Sequence, residues 1–124
     1  MNPTPQKTVL LADDDASILT VLTRAMKAQG YAVKASENIT DIDAWVAQGL
    51  GDVVVTDVQM PGRMDGLDLV RIIRRDYPHT RALVTSGRAS PQEARLSGAM
   101  SFISKPYTAT AIQDAVRYAL ARTN

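Results

Sequence analysis

The sequence predicts an α/β fold: five β-α units, (βα)5, doubly wound as one parallel sheet with helices on both faces. Two observations carry that prediction. Five short apolar runs alternate with longer stretches of helical periodicity, the pattern of parallel strands joined by crossover helices. Three of the runs are also nearly unbroken in apolar residues, as strands buried on both faces must be. The chain has 124 residues, 45% of them apolar, enough for one domain with a real core.

Residues 1–6 hold two prolines and no apolar pattern beyond Met1, and read as a loose arm. TVLLA (8–12) is the first strand. Ile18, Val21, Leu22, Ala25 and Met26 then recur at helical spacing, and Gly30 stops the helix. YAVKA (31–35) is the second strand. Ile39, Ile42, Trp45 and Val46 mark a second helix of about ten residues, with Trp45 packing on it. DVVVT (52–56) is the third strand, and Leu69, Val70, Ile72 and Ile73 mark the helix after it, which ends before Tyr77-Pro78. RALVTS (81–86) is the fourth strand. Ser90-Pro91 opens a short fourth helix, with Ser as N-cap and Pro at the first helical position. MSFIS (100–104) is the fifth strand, and Ile112, Ala115, Val116, Ala119 and Leu120 line the last helix.

Composition excludes several function classes. Fourteen basic and thirteen acidic residues leave a net charge of +1, with no general pull toward nucleic acid or an anionic membrane. There is no cysteine, hence no disulfide and no thiolate metal site. The N-terminal stretch lacks a secretion signal and no apolar run is long enough to span a membrane, so a cytoplasmic location is expected.

In an open parallel sheet, ligands bind beyond the carboxyl ends of the strands. The first strand delivers Asp13, Asp14 and Asp15 there, the third Asp57, the fourth Thr85, Ser86 and Gly87, and the fifth Lys105-Pro106. Carboxylates crowded together repel and raise one another's pKa. A hard divalent cation relieves that, and Mg2+ suits carboxylate oxygens and commonly binds beside phosphate. A lysine and a hydroxyl at the same edge complete a trap for a phosphoryl group. Asp57 then reads as a nucleophile that forms an aspartyl phosphate.

The blocks VLLADDD, VVVTDVQMPGRMDG, LVTSG and FISKPY, in that order, resemble the receiver domain of two-component response regulators over residues 7–121, leaving 122–124 as a tail. The resemblance implies a flavodoxin-like sheet of order 2-1-3-4-5. It implies Asp57 as phospho-acceptor, Asp13 and Asp14 as the pair that places Mg2+ (Asp14 the more direct), and the Gln59 backbone carbonyl as a further ligand. Ser86, preferred to Thr85, matches the switch hydroxyl. Lys105 matches the phosphate-contacting lysine, with a cis bond to Pro106. Phe102 matches the switch aromatic, with plain core packing left open beside that role. Gln59 and Arg88 match positions that tune phosphoryl lifetime.

The implied partner is a sensor histidine kinase or histidine phosphotransfer protein. The implied output face is helix 4, strand 5 and helix 5, which is also a candidate for phosphorylation-dependent homodimerisation. Such a domain is no enzyme beyond its own phosphorylation and dephosphorylation. Two departures stand out. MPGRMDG is one residue longer than the common loop, and the spacing from Ser86 to Lys105 is short, which predicts a trimmed fourth helix region.

Other readings stay beside this one. A stand-alone receiver is the first expectation. VLLADDDASI and GDVVVTDVQMP also resemble nitrogen-regulation receivers, so a receiver excised from a hybrid kinase or a transcription regulator is the alternative. DDDAS also suits a phosphatase of the haloacid-dehalogenase type with Asp13 as nucleophile, but no second acidic pair follows the lysine. A flavin or nucleotide carrier lacks a glycine-rich phosphate loop. Asp15 reads as a helix cap, His79 as a turn residue, and the charges of RIIRRD (71–76) as a solvated helix face.

Overall fold

The computed structural model describes residues 5–122. Part of the expected N-terminal arm (1–4) and the tail residues 123–124 lie outside the described residues; residues 5–7 precede the first strand and are exposed. Ten elements follow in strict alternation: β1 (Thr8–Ala12), α1 (Ala16–Ala28), β2 (Ala32–Ser36), α2 (Ile39–Ala47), β3 (Val53–Asp57), α3 (Gly66–Asp76), β4 (Arg81–Ser86), α4 (Pro91–Ser97), β5 (Ser101–Ser104) and α5 (Ala109–Ala121). All five strands are parallel, in the order β2-β1-β3-β4-β5.

The two-residue period of the strands divides the core cleanly. Val9, Leu11, Val53, Val55 and Leu83 face Leu19, Leu22 and Met26 of α1 and Ile112, Val116 and Ala119 of α5. Leu10, Ala12, Val54, Ala82 and Val84 face α2, α3 and Ala94 of α4. β3 is buried at every residue, which is why its sequence does not alternate.

Each helix begins on a residue chosen for its side-chain oxygen. Asp15 accepts from the amides of Ser17 and Ile18, and Asn38 from Thr40. Asp65 and Asp68 form a reciprocal capping box at α3. Ser90 caps α4 with Pro91 behind it, and Thr108 caps α5. α4, at seven residues, is the shortest helix and ends on Gly98 in the left-handed region, φ 95°. At the other side of the sheet, Gln113 Nε2 of α5 donates to the Ala25 carbonyl in the last turn of α1, 2.9 Å away.

Three expectations need adjustment. Val21 is 55% exposed, and Leu19 takes its place on the buried face of α1. Strands 2 and 3 each lie one residue later than their apolar runs, and β5 starts one residue later, because ladder bonding rather than hydropathy fixes strand ends. Asp57 is thereby the last residue of β3, not the first beyond it.

Candidate functional site

β1 and β3 are neighbours, but the chain leaves β1 toward β2 and leaves β3 toward β4, so their connections part in opposite directions, and the crevice at that switch is where open α/β sheets bind ligands. Asp57 ends β3 in register with Thr85 of β4. It is buried, and its Oδ1 accepts the Gln59 amide at 3.2 Å. Asp13, just past β1, is 2% exposed, and its Oδ1 accepts the Asp15 amide at 2.9 Å. Asp14 beside it is exposed.

Lys105 reaches the same point from the far strand. Its amide donates to the Ser86 carbonyl at 2.9 Å, extending the ladder one step beyond β5 and fixing the root of the side chain. The Nζ then bonds Asp57 Oδ2 at 2.9 Å and Asp13 Oδ2 at 3.1 Å. Burial opposes the charge on this lysine, but hydrogen bonds to Asp57 and Asp13 and their charges outweigh it, so the ammonium holds its proton more tightly than a free lysine. At Asp13 the balance goes the other way: burial raises the carboxyl pKa, and the Asp15 amide and Lys105 offset it only in part.

One ammonium cannot neutralise three acids. Asp13, Asp14 and Asp57 each offer an oxygen, all within 4.8 Å of one another. A cluster of hard oxygen donors, two of them buried and one open to solvent, fits a small divalent cation that keeps several waters. Asp15, by contrast, turns away to cap α1.

Residues 9–117 match the family model described as response regulator receiver domain. The chain belongs to this family. The NtrC transcriptional regulator of Azospirillum brasilense is 37% identical over 116 residues, covering 91% of this chain and 24% of the relative. The chain thus spans about a quarter of the length of the NtrC relatives it matches. Among solved structures, the chemotaxis response regulator CheY4 of Vibrio cholerae superposes with a TM-score of 0.84 at 26% identity, covering 93% of this chain and 99% of that one. The beryllofluoride-activated NtrC4 receiver domain dimer gives 0.84 at 26% identity, covering 92% and 96%. The sheet order expected from the resemblance is the order found. The receiver is a signalling domain, and among its described residues no helix is long and apolar enough to cross a membrane.

The remaining predicted residues of the receiver fall as follows. Ser86 ends β4 and is buried, but its Oγ accepts the amides of Arg88 at 2.9 Å and Ala89 at 2.8 Å, so it is engaged by its own loop rather than by Asp57. Thr85 is buried, and its carbonyl accepts the Val58 amide. Gln59 and Arg88 are exposed. Phe102 is half-buried against the cluster shared by α2, α3 and α4. The Lys105-Pro106 bond is cis. His79 is an exposed turn residue, Trp45 is half-buried under the Lys34 ammonium, and Arg71 and Arg75 pair with Asp68 and Asp76 on an exposed face.

Sequence reasoning missed Gly66. A Cβ there would lie 2.1 Å from the Asp57 carbonyl oxygen, so α3 starts directly against the end of β3. The Gly66 amide donates to the Val58 carbonyl at 2.8 Å, tying the loop back under Asp57. The Asp-Gly pair opening a helix was the signal that could have found it. Tyr107, next to the site lysine, was also passed over.

Proposed function

We propose that this receiver is a phosphorylation-driven switch with Asp57 as its acceptor. The supporting observation is the ammonium of Lys105 bonded to both Asp57 and Asp13, side chains from three different strand ends gathered at one point. The phosphoryl donor is a phosphohistidine of a sensor histidine kinase or a histidine phosphotransfer protein. An Asp57 carboxylate oxygen attacks phosphorus; the new P–O bond forms as the P–N bond breaks, and the imidazole departs with the electron pair and takes up a proton. The Gln59 amide and the buried strand hold the acceptor still.

Asp13, Asp14, Asp57 and the Gln59 backbone carbonyl would hold Mg2+. When bound, that ion supplies positive charge against the acids and the phosphoryl oxygens. Lys105, kept protonated by its setting, holds a phosphoryl oxygen as a fixed cation. The Ser86 oxygen accepts two amides, which leaves its hydrogen free to donate. Donation to the phosphoryl group, which adds about two negative charges, would carry the Arg88–Ala89 turn with it. Phe102, half-buried against the cluster that Ala89 of that turn and Ala94 of α4 also join, would follow the movement. Gln59 and Arg88 at the rim screen attacking water.

The output face is α4, β5 and α5, where Leu96 is 78% and Tyr118 50% exposed. A phosphorylation-dependent homodimer would use the same face. Labelling with radioactive acetyl phosphate and Mg2+ tests the acceptor: Asp57→Asn should abolish incorporation. If Asp57→Asn still labels and Asp13→Asn does not, the nucleophile is Asp13 and the switch reading is wrong.

A further inference from the structure

β4 opens on an arginine. Arg81 is half-buried at the head of a strand whose other five residues are buried. Its Nε is buried with no hydrogen-bond partner among the described residues, an arrangement that an apolar residue would avoid. The gain lies at the tip of the side chain. Nη2 donates to the Arg122 carbonyl at 2.6 Å and Nη1 to the His79 carbonyl at 3.2 Å. The root is fixed too, since the Arg81 amide donates to the Asp52 carbonyl at 3.1 Å.

α5 lacks what Arg81 brings. A helix gathers partial negative charge and unsatisfied carbonyls at its carboxyl end, and a cation there stabilises it. The last turn of α5 holds no basic residue. Arg81 supplies the charge and the donor from the sheet. The residue it grips has already left the helix: Arg122 has ψ 137°, and its amide reaches back to Ala119 at 3.3 Å. Helix geometry therefore does not fix Arg122, and the bond from Arg81 does.

The side chain of Arg122 turns back over α5. Its Nη1 donates to the Tyr118 hydroxyl oxygen at 2.7 Å, and its guanidinium carbon lies 5.1 Å from the centre of the Tyr118 ring. Tyr118 is an exposed aromatic. A buried strand end, a chain carbonyl and a surface ring are thus joined in series.

We propose that Arg81 is a positioning residue for the exposed face of α5: it clamps the Arg122 carbonyl, and through Arg122 it sets the orientation of Tyr118. That this face serves output rests on the function proposed above; the clamp does not.

The test compares the unaltered protein with Arg81→Met, which keeps an apolar stem and removes the donors, and with Arg122→Gln, which breaks the series from its other end. Amide hydrogen exchange is followed at residues 119–122, and ring signals are followed by NMR with 13C-labelled tyrosine. Arg81→Met should quicken exchange at 119–122 roughly tenfold, as loss of one charge-assisted hydrogen bond implies. The Tyr118 signal should move in the direction it takes in Arg122→Gln, with Tyr31 and Tyr107 in place. Exchange within about twofold of the unaltered protein overturns the clamp. An unmoved Tyr118 signal overturns the transmission through Arg122. Movement of Tyr31 and Tyr107 as well also overturns the proposal, since general loosening would then be the cause. The measurement needs neither phosphoryl group nor partner, so its outcome is separate from that of the output reading.

Discussion

A methyl group at position 66 has nowhere to go. Built on Gly66, it would meet the Asp57 carbonyl oxygen at 2.1 Å, the Asp57 carbonyl carbon at 2.9 Å and the Val58 Cα at 3.0 Å. All three are backbone atoms, so no side chain can swing aside. Ordinary contact begins near 3.4 Å, and the first turn of α3 must therefore part from the end of β3 by about 1.3 Å, the difference between 3.4 and 2.1 Å. Alanine's better helix propensity returns at most about 1 kcal/mol. Overpacking costs about 1–3 kcal/mol where neighbours can adjust, and more where they cannot. Steric cost wins, and Gly66→Ala should lose about 3 kcal/mol, a fall of about 10 °C in melting temperature for a domain of this size.

The function should suffer separately from the stability. The displaced carbonyl is that of Asp57, the proposed acceptor, and misplacement of a reacting group by about 1 Å can cost on the order of a hundredfold in rate. Thermal melts followed by circular dichroism, and initial rates of labelling by acetyl phosphate well below the melting temperature, measure the two effects. A melting temperature within about 2 °C of the unaltered protein, with labelling unslowed, would refute the claim that the α3–β3 contact positions Asp57.

Two further perturbations bear on the site. Asp13 keeps its proton more tightly folded than unfolded because burial raises its pKa, so its charging costs stability as pH rises above the ordinary 3.8 and the cost persists at neutral pH. Asp13→Asn should remove that decline and raise the melting temperature at neutral pH in EDTA, with Lys105 still held by Asp57 at 2.9 Å; an unchanged or lower value would count against the buried-charge account. Ser86→Ala strips the acceptor from the amides of Arg88 and Ala89, and hydrogen exchange at those two amides should quicken roughly tenfold, with a stability loss of about 1 kcal/mol. Unaltered exchange there would mean the turn is held by something else.

What the sequence made legible depended on how local the cause was. β1, β3 and β4 were readable because burial on both faces leaves nearly unbroken apolar runs, and their ends located Asp13, Asp57 and Ser86 at one edge. The caps at Asp15 and Ser90 were readable because a cap and its amides are adjacent in the chain. The face of α1 was less so. Apolar residues at 18, 19, 21 and 22 satisfy helical spacing in more than one phase, and contact with α5 and the sheet decides for Leu19 over Val21. Ser86 was found, but its engagement by Arg88 and Ala89 depends on how the loop turns, which spacing does not report. Gly66 depends on the gap between a helix start and a strand end.

The bond from Gln113 to Ala25 has a mechanical consequence. It ties α5 to the last turn of α1 across a shared apolar seam, so a displacement of either helix would be passed to the other. On the opposite face α4 buries only Ala94 and Ser97 and ends at Gly98. The molecule is stiff on one cheek and compliant on the other, and a push at the rim will spend itself on the compliant side.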